Sequence, residues 1–182
     1  ASSFQEDSDS LYGKAKKESR IFLEQTLGEL GGKFTGLIIP NVFGPFCKPD
    51  YNSFVATFCY KILINHNPEI IQDSKVPLIY IENLIKHILK NIQSVNEVKQ
   101  NYISSDIKIK VSEVLKLLKH FKFSYLKDNT LPLFNNSFEF DLFNTFRGYI
   151  DLEKKYPISL KKQSDERGFF SEILRTESGG QF

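Results

Sequence analysis

Tyr12 and Lys16 are the residues of this chain whose types and spacing could do chemistry. They stand four apart in Ser-Leu-Tyr-Gly-Lys-Ala-Lys, residues 10–16, after a polar, turn-rich opening and at the head of an amphipathic run. On a helix, positions four apart lie one above the other on the same face. An ammonium beside a phenol favours the phenolate and draws the tyrosine pKa down from about 10 toward neutrality. The result is an acid/base able to trade a proton with a carbonyl or carbinol oxygen. A bare Y-x-x-x-K is common, and its plain reading is a surface tyrosine beside a helical lysine. Ser2 and Ser3, just upstream, read in isolation as loop or capping residues.

The elements that must position these groups follow from the apolar pattern. Phe22, Leu23, Leu27 and Leu30 recur at helical spacing, with Lys14, Lys17, Glu18, Arg20 and Glu24 mostly off that stripe. Gly28, Gly31 and Gly32 end the helix over residues 12–30. Phe34 to Ile39 is a short apolar run without polar alternation, as a buried parallel strand requires. It stops at Pro40-Asn41 and opens a loop, Pro-Asn-Val-Phe-Gly-Pro-Phe-Cys-Lys-Pro-Asp-Tyr-Asn-Ser, over residues 40–53. In open α/β sheets that strand end is where ligands bind. Residues 53–65 predict a helix, with His66 in the turn after it as a solvated or capping histidine.

Further on, short β-like runs are expected around Ile70-Ile71 and Leu78–Ile81, then a helix from Leu84 to Ile92 carrying a structural His87. A strand is expected from Ile103 to Lys110. The helix after it has Val114, Leu115, Leu118 and Phe121 as its stripe and lysines 116, 119, 122 and 127 as its solvated face. Residues 128–146 lack a clean period and suit a closing helix or irregular segment. Residues 147–158 read as a linker, and from Ile158 the texture changes to strand and turn with glycine punctuation.

The totals narrow the function. With 182 residues, 41% hydrophobic and 25% charged, the chain suits one globular domain, or one and a part. A net charge of +2 with scattered lysines argues against nucleic acid, and no run is long enough to span a bilayer. Cys47 and Cys59 read as reduced thiols of a cytoplasmic protein, with no metal-ligand spacing. The chain has no Met, begins on Ala-Ser-Ser and ends on Gly-Gly-Gln-Phe soon after a new β-like segment starts. It reads as a fragment cut at both ends.

Tyr12-Gly-Lys-Ala-Lys16, an amphipathic helix, a buried strand and then Asn41-Val-Phe-Gly-Pro45 together resemble the extended short-chain dehydrogenase/reductases that act on nucleotide sugars. Residues 41–62 are most similar to the bifunctional capsular-polysaccharide type, which reduces a UDP-2-acetamido-2,6-dideoxy-hexos-4-ulose and joins a reductase domain to a C-terminal cupin. At the other end, Asp165-Glu-Arg-Gly-Phe-Phe-Ser-Glu172 is similar to the opening of sugar-epimerase cupins. The resemblance implies an α/β fold: the C-terminal half of a Rossmann-like reductase over residues 1–147, a linker over 148–156, and the first strands of a β (cupin, jelly-roll) domain over 157–182.

The resemblance also implies roles. Tyr12 is the catalytic acid/base, Lys16 lowers its pKa and holds the nicotinamide ribose, and Ser3, with Ser2 as the neighbouring alternative, completes the catalytic set. NADP(H) or NAD(H) is the implied cofactor, with Pro40, Asn41 and Val42 also on the cofactor side. Asn41, Asn52 and Ser53, together with Lys48, are assigned to the nucleotide sugar, and Arg167 to its phosphate. No metal ligand is expected in this chain, zinc being confined to the remainder of a cupin, and a homodimer is expected of the full-length protein.

Departures from the family pattern are Ile38, where the family has Arg, and Glu82-Asn83, where it has Asp-Asp; no Gly-rich dinucleotide fingerprint is present. The implied activity is reduction of a C4 ketone of a nucleotide-activated amino sugar. A 4-epimerase or 4,6-dehydratase on the same scaffold is one alternative, and a non-catalytic binding module or gene remnant is another.

Overall fold

A computed structural model describes residues 1–93, 98–157, 159–160 and 162–179. In chain order these form β1 (Ser2–Ser3), a 3-10 turn (Phe4–Asp7), α1 (Leu11–Glu29), β2 (Phe34–Ile39), β3 (Asn41–Phe43) and α2 (Phe54–Leu63). Next come β4 (Lys75–Tyr80), α3 (Ile81–Gln93), β5 (Val98–Tyr102), β6 (Ile107–Lys110), α4 (Val111–Phe121) and a π-helical turn (Lys122–Lys127). The chain continues through β7 (Thr130–Leu131), α5 (Ser137–Arg147), α6 (Leu152–Lys155), β8 (Lys162–Asp165), β9 (Gly168–Ser171) and β10 (Arg175–Thr176). Two compact units result, one of residues 1–44 and 74–110, the other of residues 45–73 and 111–182.

In the first unit β2 lies between β1 and β5, all parallel, with Ser3 opposite Ile39 and Phe34 opposite Val98. The continuous Phe-Thr-Gly-Leu-Ile-Ile run is what a strand covered on both faces needs. Pro40 ends it, and the chain re-enters a second sheet at once: β3 pairs parallel with β4, which pairs antiparallel with β6. Ile79, Leu84 and Ile103 form a buried cluster with Leu37, Ile39, Val42, Ile81 and Ile88 against it.

In the second unit, α2, α4 and α5 contribute the buried Val55, Phe58, Ile62, Val114, Leu118, Phe143 and Phe146. Phe121 and Tyr125 each meet the Phe143 ring edge-on, at 5.3 and 5.2 Å between centroids. β8 and β9 form an antiparallel hairpin, and β10 adds to β7 in parallel. The strand-and-turn texture expected from Ile158 is seen in this hairpin; Ile158 itself, like Gln181 and Phe182, lies outside the described residues.

Four expectations need correction. The start of the expected 40–53 loop is strand β3, because pairing with Leu78 to Tyr80 satisfies its backbone. No strand forms at Ile70-Ile71, where Ile71 is almost fully exposed. Of the expected strand 103–110 only its second half forms, as β6; β5 lies wholly before it, in Val-Lys-Gln-Asn-Tyr, and between the two strands the Asp106 carboxylate accepts from the Tyr80 N–H at 2.7 Å.

The fourth concerns α1. Phe22, Leu23 and Leu30 are exposed, whereas the covered stripe is Gly13, Lys16, Arg20, Glu24 and Leu27. The polar face turns inward because Arg20 meets a carboxylate there, Glu6 of the 3-10 turn, at 3.1 Å. With Arg20 on that face, Glu6 supplies the anion without which a buried guanidinium would be strongly destabilising.

Candidate active site

The helix that carries Tyr12 and Lys16 is fixed at its first turn. Ser10 is its N-cap, accepting from the Gly13 N–H at 3.0 Å. Gly13 lets that turn sit directly on the 3-10 turn: a Cβ there would stand 2.0 Å from the Gln5 carbonyl oxygen and 2.7 Å from Ser8 Oγ. At the far end Gly31, at φ 66°, takes the left-handed conformation that closes the helix, and the Gly32 N–H reaches the Leu27 carbonyl at 2.7 Å.

On this helix the Lys16 ammonium lies 5.7 Å from the centre of the Tyr12 ring, within cation–π range. Tyr12 is half exposed. Among the described residues, no ion pair ties Lys16 to a carboxylate, so its N–H donors can serve a bound hydroxyl. Tyr12 and Lys16 line a cavity of about 230 Å³ with Ala1, Ser2, Ser19, Arg20 and Gly36 among the other walls.

The two upstream serines separate cleanly. Ser2 is buried and donates a hydrogen bond to Glu6 Oε2 at 2.7 Å. Ser3 is the N-cap of the 3-10 turn, its oxygen accepting from the Gln5 N–H at 3.2 Å. A hydroxyl used as an acceptor still has its own proton to donate. Ser3 is not among the residues lining the Tyr12–Lys16 cavity.

Pro40 is buried at the end of β2, Val42 is part-buried beside the Ile79 cluster, and Asn41 is exposed with its amide donating to the Pro77 carbonyl at 3.3 Å. Gly44 allows the chain to pass Ile81, whose Cγ2 would be 2.5 Å from an added Cβ. Of the departures, Ile38 is fully buried next to the C-terminal end of β2, and Asn83 donates to Asp106 at 3.1 Å and accepts from Lys86 at 3.2 Å.

The remaining expected ligands belong to the second unit. Lys48 is exposed with its ammonium 5.9 Å from the Tyr51 ring centre. Asn52 is exposed, and Ser53 is the buried N-cap of α2, accepting from the Ala56 N–H at 3.4 Å. Arg167 is exposed at the β8–β9 turn, where its guanidinium grips Asp165 at 2.8 and 3.3 Å and holds that carboxyl below the usual carboxylate range.

Reading charges as solvated missed Glu6 and Arg20, which lie beneath the Tyr–Lys pair. The available signal was spacing: Tyr12, Lys16 and Arg20 continue one i, i+4 series.

A parallel β1–β2–β5 sheet with a Tyr-x-x-x-Lys helix packed on it defines an extended short-chain-dehydrogenase/reductase-like α/β fold. No family model matches the chain. It is 30% identical over 184 residues to UDP-2-acetamido-2,6-beta-L-arabino-hexul-4-ose reductase of Pseudomonas aeruginosa, with 100% of this chain and 49% of that protein covered. Its fold matches capsular polysaccharide assembling protein CapF of Staphylococcus aureus at TM-score 0.83 and 32% identity, over 99% of this chain and 50% of that one. UDP-glucose 4-epimerase of Thermotoga maritima shares the fold at TM-score 0.63 and 22% identity, over 80% of this chain and 54% of the other. The chain thus spans about half the length of the relatives it matches.

Proposed function

We propose that this chain carries the proton-transfer half of an NAD(P)H-dependent reductase acting on the C4 ketone of a nucleotide-activated amino sugar in surface-polysaccharide synthesis. The observation that carries the reading is the Lys16 ammonium over the Tyr12 ring, on a helix packed against a strand that ends in Ser3. The similarity to a nucleotide-sugar reductase supports the substrate class.

The donor set suits a nicotinamide nucleotide at its ribose end, since Lys16 has N–H donors for a diol; Pro40, Asn41 and Val42 are assigned to the same side. That group, when bound, supplies the hydride. In this reading Tyr12 gives its phenolic proton to the oxygen that becomes negative, and Ser3 donates a hydrogen bond to that oxygen. Lys16 stabilises the tyrosinate left behind and is the ribose contact. Asn41, Lys48, Asn52 and Ser53 are proposed contacts of the nucleotide sugar.

We extend the proposal to domain organisation. Residues 1–147 form the reductase part, 148–156 a linker, and 157–182 the opening of a cupin, in which Arg167 faces a nucleotide-sugar phosphate. The β8–β9 hairpin across Asp165-Glu-Arg-Gly168 supports the last assignment. The full-length protein is proposed to work as a cytoplasmic homodimer; among the described residues no helix is long and apolar enough to cross a membrane.

The test is cofactor stoichiometry in the complete protein supplied with a UDP-4-keto-amino-sugar. One NAD(P)H oxidised per sugar reduced is expected. Sugar conversion with no net oxidation would instead identify an epimerase or dehydratase, which return the cofactor to its starting state.

A further inference from the structure

Beneath the Tyr12–Lys16 pair lies a buried ionic cluster that no role in the proposed chemistry has used. Glu6 and Arg20 are 2% and 9% exposed, and Ser2 beside them is 8% exposed. Arg20 Nε donates to both Glu6 oxygens, at 3.2 and 3.1 Å, and Ser2 Oγ donates to Glu6 Oε2 at 2.7 Å. Arg20 Nη1 continues to Glu24 at 2.9 Å. The hydrogen bond to Glu6 raises the Arg20 pKa despite burial, with the Glu24 carboxylate adding to the anionic surroundings. Strand β2 is notched for the arginine: a Cβ at Gly36 would stand 2.8 Å from Arg20 Cδ and 3.0 Å from Cγ.

The cluster joins the pieces whose relative placement the chemistry needs. Ser2 is the neighbour of Ser3 on β1, Glu6 sits on the turn that Ser3 caps, and Arg20 lies one helical turn beyond Lys16 on α1. Stability alone is a poor reason for it, because an apolar group of similar volume generally serves a buried position as well as an ion pair does. The guanidinium is held by two carboxylates at once, Nε–H shared between both Glu6 oxygens and Nη1 on Glu24, and such directional contacts, unlike an apolar one, admit few registers.

We propose that Glu6 and Arg20 are positioning residues: their buried ion pair, with Ser2 as third member, sets the Ser3 hydroxyl relative to the Tyr12–Lys16 pair and so controls the rate of proton transfer to the substrate oxygen. The proposal rests on the reductase reading above. It predicts that disturbing the pair acts on kcat through Ser3, with little effect on nucleotide-sugar binding.

The test uses the complete protein and its NAD(P)H-dependent ketone reduction. Glu6→Gln keeps the size of the side chain and an acceptor for Ser2 but removes the charge. It is expected to lower kcat about 100-fold, the scale of a misplacement near 1 Å, while KM for the nucleotide sugar stays within about twofold. Ser3→Ala is expected to lower kcat as well, and Glu6→Gln/Ser3→Ala to fall little below the worse single variant, because both changes remove one interaction. The apolar pair Glu6→Leu/Arg20→Met separates position from stability: its melting temperature should match or exceed that of the parent while kcat stays low.

An unchanged kcat in Glu6→Gln, an unaffected Ser3→Ala, fully additive losses, or recovery of kcat with stability in the apolar pair would each overturn the proposal. Should the apolar pair not fold, the Glu6–Ser3 cycle decides alone. A parent protein that does not reduce the ketone, or a Tyr12→Phe variant with undiminished turnover, marks failure of the reductase reading itself, and the positioning role falls with it.

Discussion

Gly13 is the residue on which the first turn of α1 depends. Its Cα hydrogen faces the Gln5 carbonyl at a separation no Cβ tolerates, and the opposing atom is backbone, which cannot swing aside. Gly13→Ala would gain about 1 kcal/mol in helix propensity but overpack this contact. The expected net result is a loss of about 2 kcal/mol in denaturant unfolding, since a Cβ 2.0 Å from backbone puts overpacking at the upper end of its usual cost of about 1–3 kcal/mol. A neutral or stabilised Gly13→Ala would show that the helix start does not rest on the 3-10 turn. The Tyr12–Lys16 pair was legible from spacing because i, i+4 geometry is local. Glu6 and Arg20 were not, because a charge is ordinarily solvated and only tertiary contact with an opposite charge reverses that. The resemblance favours Ser3 over its neighbour Ser2; in the structure Ser2 donates to Glu6 and lines the Tyr12–Lys16 cavity, whereas Ser3 caps the 3-10 turn and lies outside that lining.

Among the elements, β2, α2 and α4 followed from pattern, each having an apolar run or stripe that matches its covered face, and the β8–β9 hairpin followed from its turn residues, its strands being largely exposed. The β5 strand did not, because Val-Lys-Gln-Asn-Tyr has no apolar alternation and is held by its register on β2. The covered face of α1 was inverted because its polar stripe, not its apolar one, had a partner. A short element supplies a pH prediction. Strand β10 is held on β7 by the Asn129 and Leu131 carbonyls, and Glu177, immediately after it, accepts from Ser124 at 2.7 Å and from the Leu133 N–H at 3.0 Å. Burial pushes the Glu177 carboxyl up, but these hydrogen bonds and His120, 3.2 Å away, outweigh it and leave the pKa lowered. A carboxyl with a depressed folded-state pKa contributes stability that is present above its unfolded pKa and lost as pH falls through the folded one. Hydrogen exchange at Leu133 should therefore accelerate, beyond the intrinsic pH trend, below the ordinary carboxylate range. Glu177→Gln should exchange faster at neutral pH and lose that acid-dependent step. Equal acid sensitivity in the two proteins would contradict the account.

Taken as a whole, the chain combines a parallel β1–β2–β5 unit bearing the Tyr–Lys helix and Asn41 with a second, helix-rich unit bearing Lys48, Asn52, Ser53 and Arg167, and it spans about half the length of the relatives it matches. Composition excluded classes of function and the motifs suggested one; pairing of β1 with β2 puts Ser3 at a strand end, and the cavity that Tyr12 and Lys16 share is lined by Ser2 and not by Ser3. The central claim is that Tyr12 delivers the proton in a carbonyl reduction. It is tested most directly by Tyr12→Phe in the complete protein, with NAD(P)H oxidation and nucleotide-sugar binding measured side by side. The account predicts that kcat falls by at least about 100-fold, the lower end of what a positioned acid/base contributes, while the dissociation constant for the nucleotide sugar changes by less than about threefold. Turnover retained near the parental rate, with the ring intact and the hydroxyl gone, would contradict it.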